Sequence, residues 1–93
     1  MRVLIIEAII HLPWCRSLKD KRRVRQGLID RLVRRHRVSV KEVDCQDIWQ
    51  TLCLGIAAVV ISESAAQPLE ESIHETVAEH SNGEIREWNV DVV

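Results

Sequence analysis

Two segments of the sequence alternate with a period of two residues, and this alternation restricts the fold more than any other feature. In Arg2–Leu12 every even-numbered position from Leu4 onward is apolar, while the odd-numbered positions are mixed. Trp49–Ser62 repeats the pattern, with apolar side chains at the even positions from Leu52 to Val60 and mostly small ones at the odd positions. Successive side chains of a strand point to opposite faces of a sheet. Both segments are therefore predicted to be strands with one strongly buried face.

A helical periodicity of apolar residues follows the first strand after Pro13, which cannot donate a hydrogen bond to a sheet ladder. Ser17-x-x-Asp20 resembles a capping box and predicts that the helix begins at Ser17. The apolar side chains share one arc of the helix and are predicted to face the core: Leu18, Val24, Leu28, Ile29, Leu32 and Val33. Lys21 and Arg25 fall inside this arc, so we expect each to meet a carboxylate or to extend past the sheet.

The remaining segments complete an order of strands and helices that indicates the fold class. A short strand near Arg37–Val43, a second helix starting at Ser62–Ser64 and a last strand over Ile85–Val92 follow from the same periodicities. A capping-box match at Ser64 marks the second helix. The order β-α-β-β-α-β favours one α+β domain over residues 1–93, a ferredoxin-like two-layer α/β sandwich. Its four-stranded sheet is predicted to carry two helices on one face, with the first and third strands central.

The charges of the chain are separated along the sequence. Ten of the thirteen Lys and Arg residues lie in Arg16–Arg37 with only two acidic residues, so this segment carries a net charge of +8. The rest of the chain has three basic and twelve acidic residues, a net charge of −9. A one-sided basic helix predicts an anionic partner, with RNA the first candidate. The predicted phosphate contacts are Arg16, Lys19, Arg22, Arg23, Arg31, Arg34 and Arg35. The alternative is a solvated face balanced by acidic residues elsewhere.

A polar turn between the second and third strands is the best candidate for a discrete site. Several polar side chains surround a Trp there, and the predicted contact patch is Asp44, Gln46, Asp47, Trp49 and Gln50. The alternative interpretation is structural, because Glu42 or Asp44 could neutralise Arg22 or Arg25.

The sheet face away from the helices is predicted to be largely apolar. It would present Val3, Ile5, Ile9, Cys53, Ala57, Val59 and Ile61. RNA-recognition-motif domains share this strand order but stack bases on strand aromatics, and the chain has no Phe or Tyr. An apolar face favours pairing with another protein surface, such as a second copy of the chain, unless loops or the C-terminus cover it.

Catalytic, metal and membrane functions find little support in the sequence. Glycine-rich phosphate loops, HExxH and paired ligand spacings are missing, so we expect a non-enzymatic protein without catalytic residues, metal or cofactor. Cys15 precedes the basic helix, where its thiolate could be stabilised, but no base accompanies it. Three cysteines argue against a secreted disulfide framework. The longest apolar run, Leu52–Ile61, is too short to span a membrane. We therefore expect a cytoplasmic protein without membrane contact.

Three motifs resemble the YlxP-like family of small bacterial proteins. These are RSLKDKRRV at Arg16–Val24, VSVKEVD at Val38–Asp44, and QDIWQ with a following LG at Gln46–Gly55. The resemblance covers nearly the whole chain in order and implies the same sandwich fold. Members often lie beside translation-initiation and ribosome-maturation genes, which implies a ribosomal context. Cys45 departs from the pattern, since a His is common there.

These observations favour an RNA- or ribosome-associated protein whose basic helix contacts the phosphate backbone, with the turn Gln46–Gln50 adding selectivity. A protein-interaction module or homodimer acting through the open sheet face is the alternative. A small-molecule-binding regulatory domain of the same fold is a third hypothesis, and it requires a well-formed pocket.

Overall fold

The computed structural model describes residues 1–93 and contains the predicted order of strands and helices. The elements are β1 (Arg2–His11), α1 (Leu18–His36), β2 (Ser39–Asp44), β3 (Thr51–Val60), α2 (Glu63–His80) and β4 (Glu84–Val92). The sheet order is β2-β3-β1-β4, and every neighbouring pair is antiparallel. The ferredoxin-like α+β sandwich is therefore confirmed, with β1 and β3 in the centre. Neither helix combines the length and the apolar character needed to cross a membrane.

The period-two alternation of β1 and β3 produces the core. The β1–β3 register places Ile6 opposite Ile56 and Leu4 opposite Ala58, so even-numbered side chains of both strands share one face. These side chains are buried under the helices, together with Leu28, Leu32, Ile73 and Val77. The cluster is made of aliphatic side chains and Cys15, as expected for a chain poor in aromatic residues.

Helix α1 meets the core through a narrower stripe than the sequence predicts. Lys21, Leu28 and Leu32 are at most 1% exposed, whereas Leu18 and Val33 are 42% and 45% exposed. The prediction that Leu18 and Val33 face the core is therefore wrong. Lys21 occupies a core position, and the buried stripe continues from it through Leu28 and Leu32, seven and eleven residues further along the helix. The stripe is therefore shifted away from Leu18 and Val33.

Serine residues cap both helices. The Ser17 hydroxyl accepts from the Asp20 N–H at 3.1 Å, which confirms the predicted start of α1. The Asp20 carboxylate accepts from the Arg16 N–H at 2.9 Å, one residue before the position a capping box would use. Helix α2 is capped by Ser62, whose hydroxyl accepts from the Ala65 N–H at 3.3 Å. The predicted cap at Ser64 is wrong because the extended backbone at Ser62 already turns the chain into the helix.

Candidate nucleic-acid interface

The basic residues predicted to contact phosphate lie on the outer side of α1 or directly before it. All seven are exposed: Arg16, Lys19, Arg22, Arg23, Arg31, Arg34 and Arg35. None takes part in the five ion pairs of the structure. These charges are therefore free to meet an anionic partner. We call them the basic face.

Helix α2 does not neutralise the basic face directly. It holds five Glu residues and no Lys or Arg, which makes it the acidic counterpart of α1. Its ion pairs join Glu63 to Arg2 and Glu79 to His80, so neither reaches α1. The charge separation read from the sequence is thus a separation in space between two neighbouring helices.

Gly27 creates a shallow depression in the basic face. Gly27, Asp30, Arg31, Arg34 and Arg35 line it, and its volume is about 480 Å³. A Cβ at Gly27 would meet no atom within 4 Å, so the packing of the protein does not require glycine there. Mid-helix glycine costs about 1 kcal/mol relative to alanine. The depression therefore offers three guanidinium groups around open space, with the single carboxylate of Asp30 beside them.

The other concave regions lie on the uncovered sheet face and not between the helices and the sheet. The largest apolar depression lies over Gly55 and Ala57, and Glu7 and Lys41 are among the residues that line it. These shallow depressions give no support to the small-molecule hypothesis, which requires a well-formed pocket.

Lys21 and Arg25 are held by a carboxylate, as predicted for cations inside an apolar arc. The Lys21 Nζ lies 2.7 Å from Glu42 Oε2, and the Arg25 Nη1 lies 2.8 Å from Glu42 Oε1. Burial alone would raise the pKa of Glu42, but the contacts and charges of Lys21 and Arg25 outweigh burial and lower it. The carboxylate that neutralises Arg25 is thus Glu42 and not Asp44, and Arg22 is in no ion pair. Lys21 and Arg25 therefore stabilise the fold and are not part of the basic face.

Lys21 also shapes the loop between β2 and β3. Its Nζ donates to the carbonyl oxygens of Cys45 at 2.7 Å, Ile48 at 2.8 Å and Thr51 at 3.2 Å. Sequence reasoning missed this role, because the partners are backbone atoms of a distant loop. The one available signal was a lone Lys within the apolar arc. The loop is thus fixed against the N-terminal half of α1.

The predicted polar patch divides into exposed and internally bonded side chains. Gln46, Asp47 and Trp49 are exposed, with Trp49 at 48%. The Gln50 amide donates to the carbonyl oxygens of Pro13 and Cys15, both at 3.2 Å, and so fixes the loop between β1 and α1. The Asp44 carboxylate accepts from the N–H of the next residue at 2.7 Å. The loop that carries the exposed members is bonded to Lys21 near the start of α1, while Arg31, Arg34 and Arg35 lie toward the other end of the helix.

Cys15 does not have the environment that its sequence position indicates. The side chain is completely buried in the core. Burial and, to a smaller extent, the charge of Asp20 raise the pKa of the Cys15 thiol, although Lys21 acts in the opposite direction. The expected stabilisation of a Cys15 thiolate is therefore wrong.

The sheet face opposite the helices is open. Val43, Val59 and Ile61 are 54%, 70% and 87% exposed. Val93 does not fold over this face, because its N–H and carbonyl pair with those of Val3 at 2.9 Å and extend the β4 ladder. Of the predicted face residues, Val3, Ile5, Ile9 and Ala57 are half-buried, and Cys53 is 5% exposed.

Comparisons with known proteins agree with the family resemblance read from the sequence. A family model described as "Protein of unknown function (DUF503)" matches residues 3–90. The chain is similar to "Uncharacterized protein YlxP" of Bacillus subtilis (strain 168), with 42% identity over 55 residues. The aligned region covers 59% of this chain and 58% of the relative's length. The resemblance to YlxP-like proteins is thereby confirmed.

Proposed function

This chain belongs to the DUF503 family of proteins of unknown function, and from this premise we propose that it is a non-enzymatic RNA- or ribosome-associated protein of the cytoplasm. The basic face contacts the phosphate backbone. The observation that carries the proposal is that seven exposed cations lie on or beside one helix without a carboxylate partner.

The spacing of these cations suits an extended polyanion. At a rise of about 1.5 Å per residue, Lys19 and Arg34 are roughly 22 Å apart along α1, with Arg23 between them. Contacts of this kind provide affinity and little sequence selectivity. Trp49 and Gln46 in the adjacent loop would add selectivity, because unpaired RNA bases stack on aromatic side chains and hydrogen-bond to polar ones.

The salt dependence of binding tests this proposal. We expect the purified protein to bind ribosomal RNA with an affinity that falls by about 100- to 1,000-fold between 50 and 200 mM salt, as five to seven single-strand phosphate contacts require. The measurement is a binding titration with labelled RNA at several salt concentrations. Absence of binding, or an affinity that does not change with salt, would contradict the proposal.

A second candidate function is homodimerisation through the open sheet face. At about 4.8 Å between strands and about 3.3 Å per residue, the face measures roughly 19 by 30 Å, or about 570 Å², which corresponds to the low end of protein–protein interface sizes. Lys41 lies on the β2 edge, and Glu87 and Asp91 lie on the β4 edge. A twofold axis parallel to the strands would stack these edges and bring opposite charges together.

Light scattering tests the dimer. We expect the wild-type protein to have twice the chain mass of 10.7 kDa. Ala57→Arg should produce a monomer, because a long charged side chain would then project from the central strand β3 into the interface. Gln67→Arg adds the same charge on the exposed side of α2 and should leave the dimer intact. A monomeric wild-type protein would exclude this function.

A further inference from the structure

Two of the three cysteines are in direct contact. The Sγ atoms of Cys45 and Cys53 lie 2.8 Å apart, and no cysteine of the chain is engaged in a disulfide. Cys15 is a buried core residue and is not part of this contact. The pair therefore forms a separate thiol cluster at the start of β3, outside the basic face.

The backbone explains why these two thiols meet. The β2–β3 register shifts between Glu42 and Asp44, so that Asp44 lies opposite Cys53. Cys45 follows immediately with a positive φ of 60°, which redirects the chain at the end of β2. Its carbonyl is fixed by Lys21. The contact is thus set by a strand irregularity and a left-handed residue, both anchored by the core.

The two thiols differ in access to solvent. Cys53 is 5% exposed, whereas Cys45 is half-buried and lies in the loop. An oxidant in solution therefore reaches Cys45 first, and Cys53 lies behind it within contact distance.

We propose that Cys45 and Cys53 are a modification site, at which a low-molecular-weight disulfide oxidises the pair to a reversible intramolecular disulfide. The Cys45 thiolate attacks one sulfur of the oxidant and forms a mixed disulfide, releasing one small thiolate that takes up the proton lost by Cys45. Cys53 then loses its proton and displaces the second small thiolate, which is protonated in turn. Two protein thiols and one small disulfide thus give one protein disulfide and two small thiols.

The order of these steps follows from the surroundings of Cys53. Burial, the hydrogen bond to Cys45 and the nearby charges of Cys45 and Asp44 raise the pKa of Cys53 to about 12, against a lowering effect of Lys21. Cys53 is therefore a poor first nucleophile and acts as the resolving thiol. The sulfur atoms must approach by less than about 1 Å to reach a bond length near 2.05 Å.

The disulfide would close the loop from Cys45 to Cys53, which includes Trp49 and all three of the carbonyl groups bonded to Lys21. Cross-linking a loop of about nine residues restricts the unfolded chain and raises the melting temperature by roughly 10 °C. This inference does not depend on RNA binding, since it rests on the thiol geometry alone.

Mass spectrometry of the folded protein after treatment with oxidised glutathione tests the proposal. We expect the loss of two hydrogen atoms from the intact mass, a Cys45–Cys53 cross-linked peptide, and recovery of the original mass with a dithiol reductant. Cys15→Ser should give the same cross-link. Cys53→Ser should stop at a glutathione adduct on Cys45, and Cys45→Ser should give no product because Cys53 is buried.

The wild-type result decides the question even if a variant fails to fold. An unchanged intact mass, a cross-link that involves Cys15, or a glutathione adduct that persists on the wild-type protein would each overturn the proposal. A melting temperature that rises by roughly 10 °C on oxidation, and returns on reduction, would support it.

Discussion

Replacing Lys21 with methionine is expected to lower the free energy of unfolding by about 3–5 kcal/mol, since the change removes one partner of a buried ion pair. Methionine has a similar length, so the loss comes from the ammonium group and not from a large cavity. Glu42 keeps Arg25 but loses the closer contact at 2.7 Å, and three backbone carbonyls lose their donor. Small domains have a total stability of about 5–15 kcal/mol, so this single change removes a large share.

Urea unfolding followed by circular dichroism measures the effect. The matched control is Lys19→Met, two positions earlier on the same helix, where the side chain is exposed and has no ion pair. We expect that control to change the free energy of unfolding by no more than about 0.5 kcal/mol. A Lys21→Met loss as small as the control's would show that the buried ammonium does not stabilise the fold.

The pH dependence of unfolding separates the ion pair from general packing. In the wild-type protein the pKa of Glu42 is below its ordinary value of 4.5, because Lys21 and Arg25 outweigh the effect of burial. The stabilisation is therefore present above pH 4.5 and is lost as pH falls through the lowered pKa. In Lys21→Met, burial remains with one cation fewer, so the pKa of Glu42 should rise. The stability difference between the two proteins should consequently narrow in acid, and a constant difference would point to packing alone.

Reversing two charges of the basic face is expected to weaken RNA binding by about 100-fold or more at 100 mM salt, because each reversal removes a phosphate contact and adds repulsion. The variant is Arg23→Glu combined with Arg34→Glu. Both side chains are exposed and have no ion-pair partner, so the fold should remain intact. The salt dependence should also become shallower, by roughly two phosphate contacts.

The chain offers a control with the same change in net charge. Arg2→Glu combined with Arg86→Glu also reverses two arginines, but these lie on strands β1 and β4 and pair with Glu63 and Glu84, outside the basic face. We expect this control to weaken binding far less. Equal weakening by both variants would mean that overall charge decides binding, and that α1 is not a specific interface.

The sequence predicts the elements well because their causes are local. Period-two alternation in β1 and β3 gave the central strands, and Ser17 gave the start of α1. Lys21 marks where local reasoning ends. Its position in the apolar arc predicts a carboxylate partner, and Glu42 is that partner. The three carbonyl partners could not be predicted, since they depend on the path of a loop 24 to 30 residues away.

The contact between Cys45 and Cys53 lies beyond sequence reasoning for a similar reason. It requires the shift in the β2–β3 register and the positive φ at Cys45, and neither has a glycine to signal it. The exposure of Leu18 and Val33 was missed because an apolar arc drawn on α1 alone does not show where α2 and the sheet stop. The exposure of the basic face, by contrast, could be predicted from the sequence, because charged side chains on the outer side of a helix remain in solvent without any contact to a distant residue.

The hydrogen bonds from Lys21 to three loop carbonyl groups have a consequence for ligand binding at the loop. Surface loops of this length are commonly mobile, and ordering them on binding reduces affinity. Here the loop that presents Gln46, Asp47 and Trp49 is bonded through its own backbone to the ammonium group of Lys21, a residue that is 1% exposed. The loop is thus preorganised. Its conformational entropy is lost when the protein folds, so a ligand that binds there would not have to order the loop.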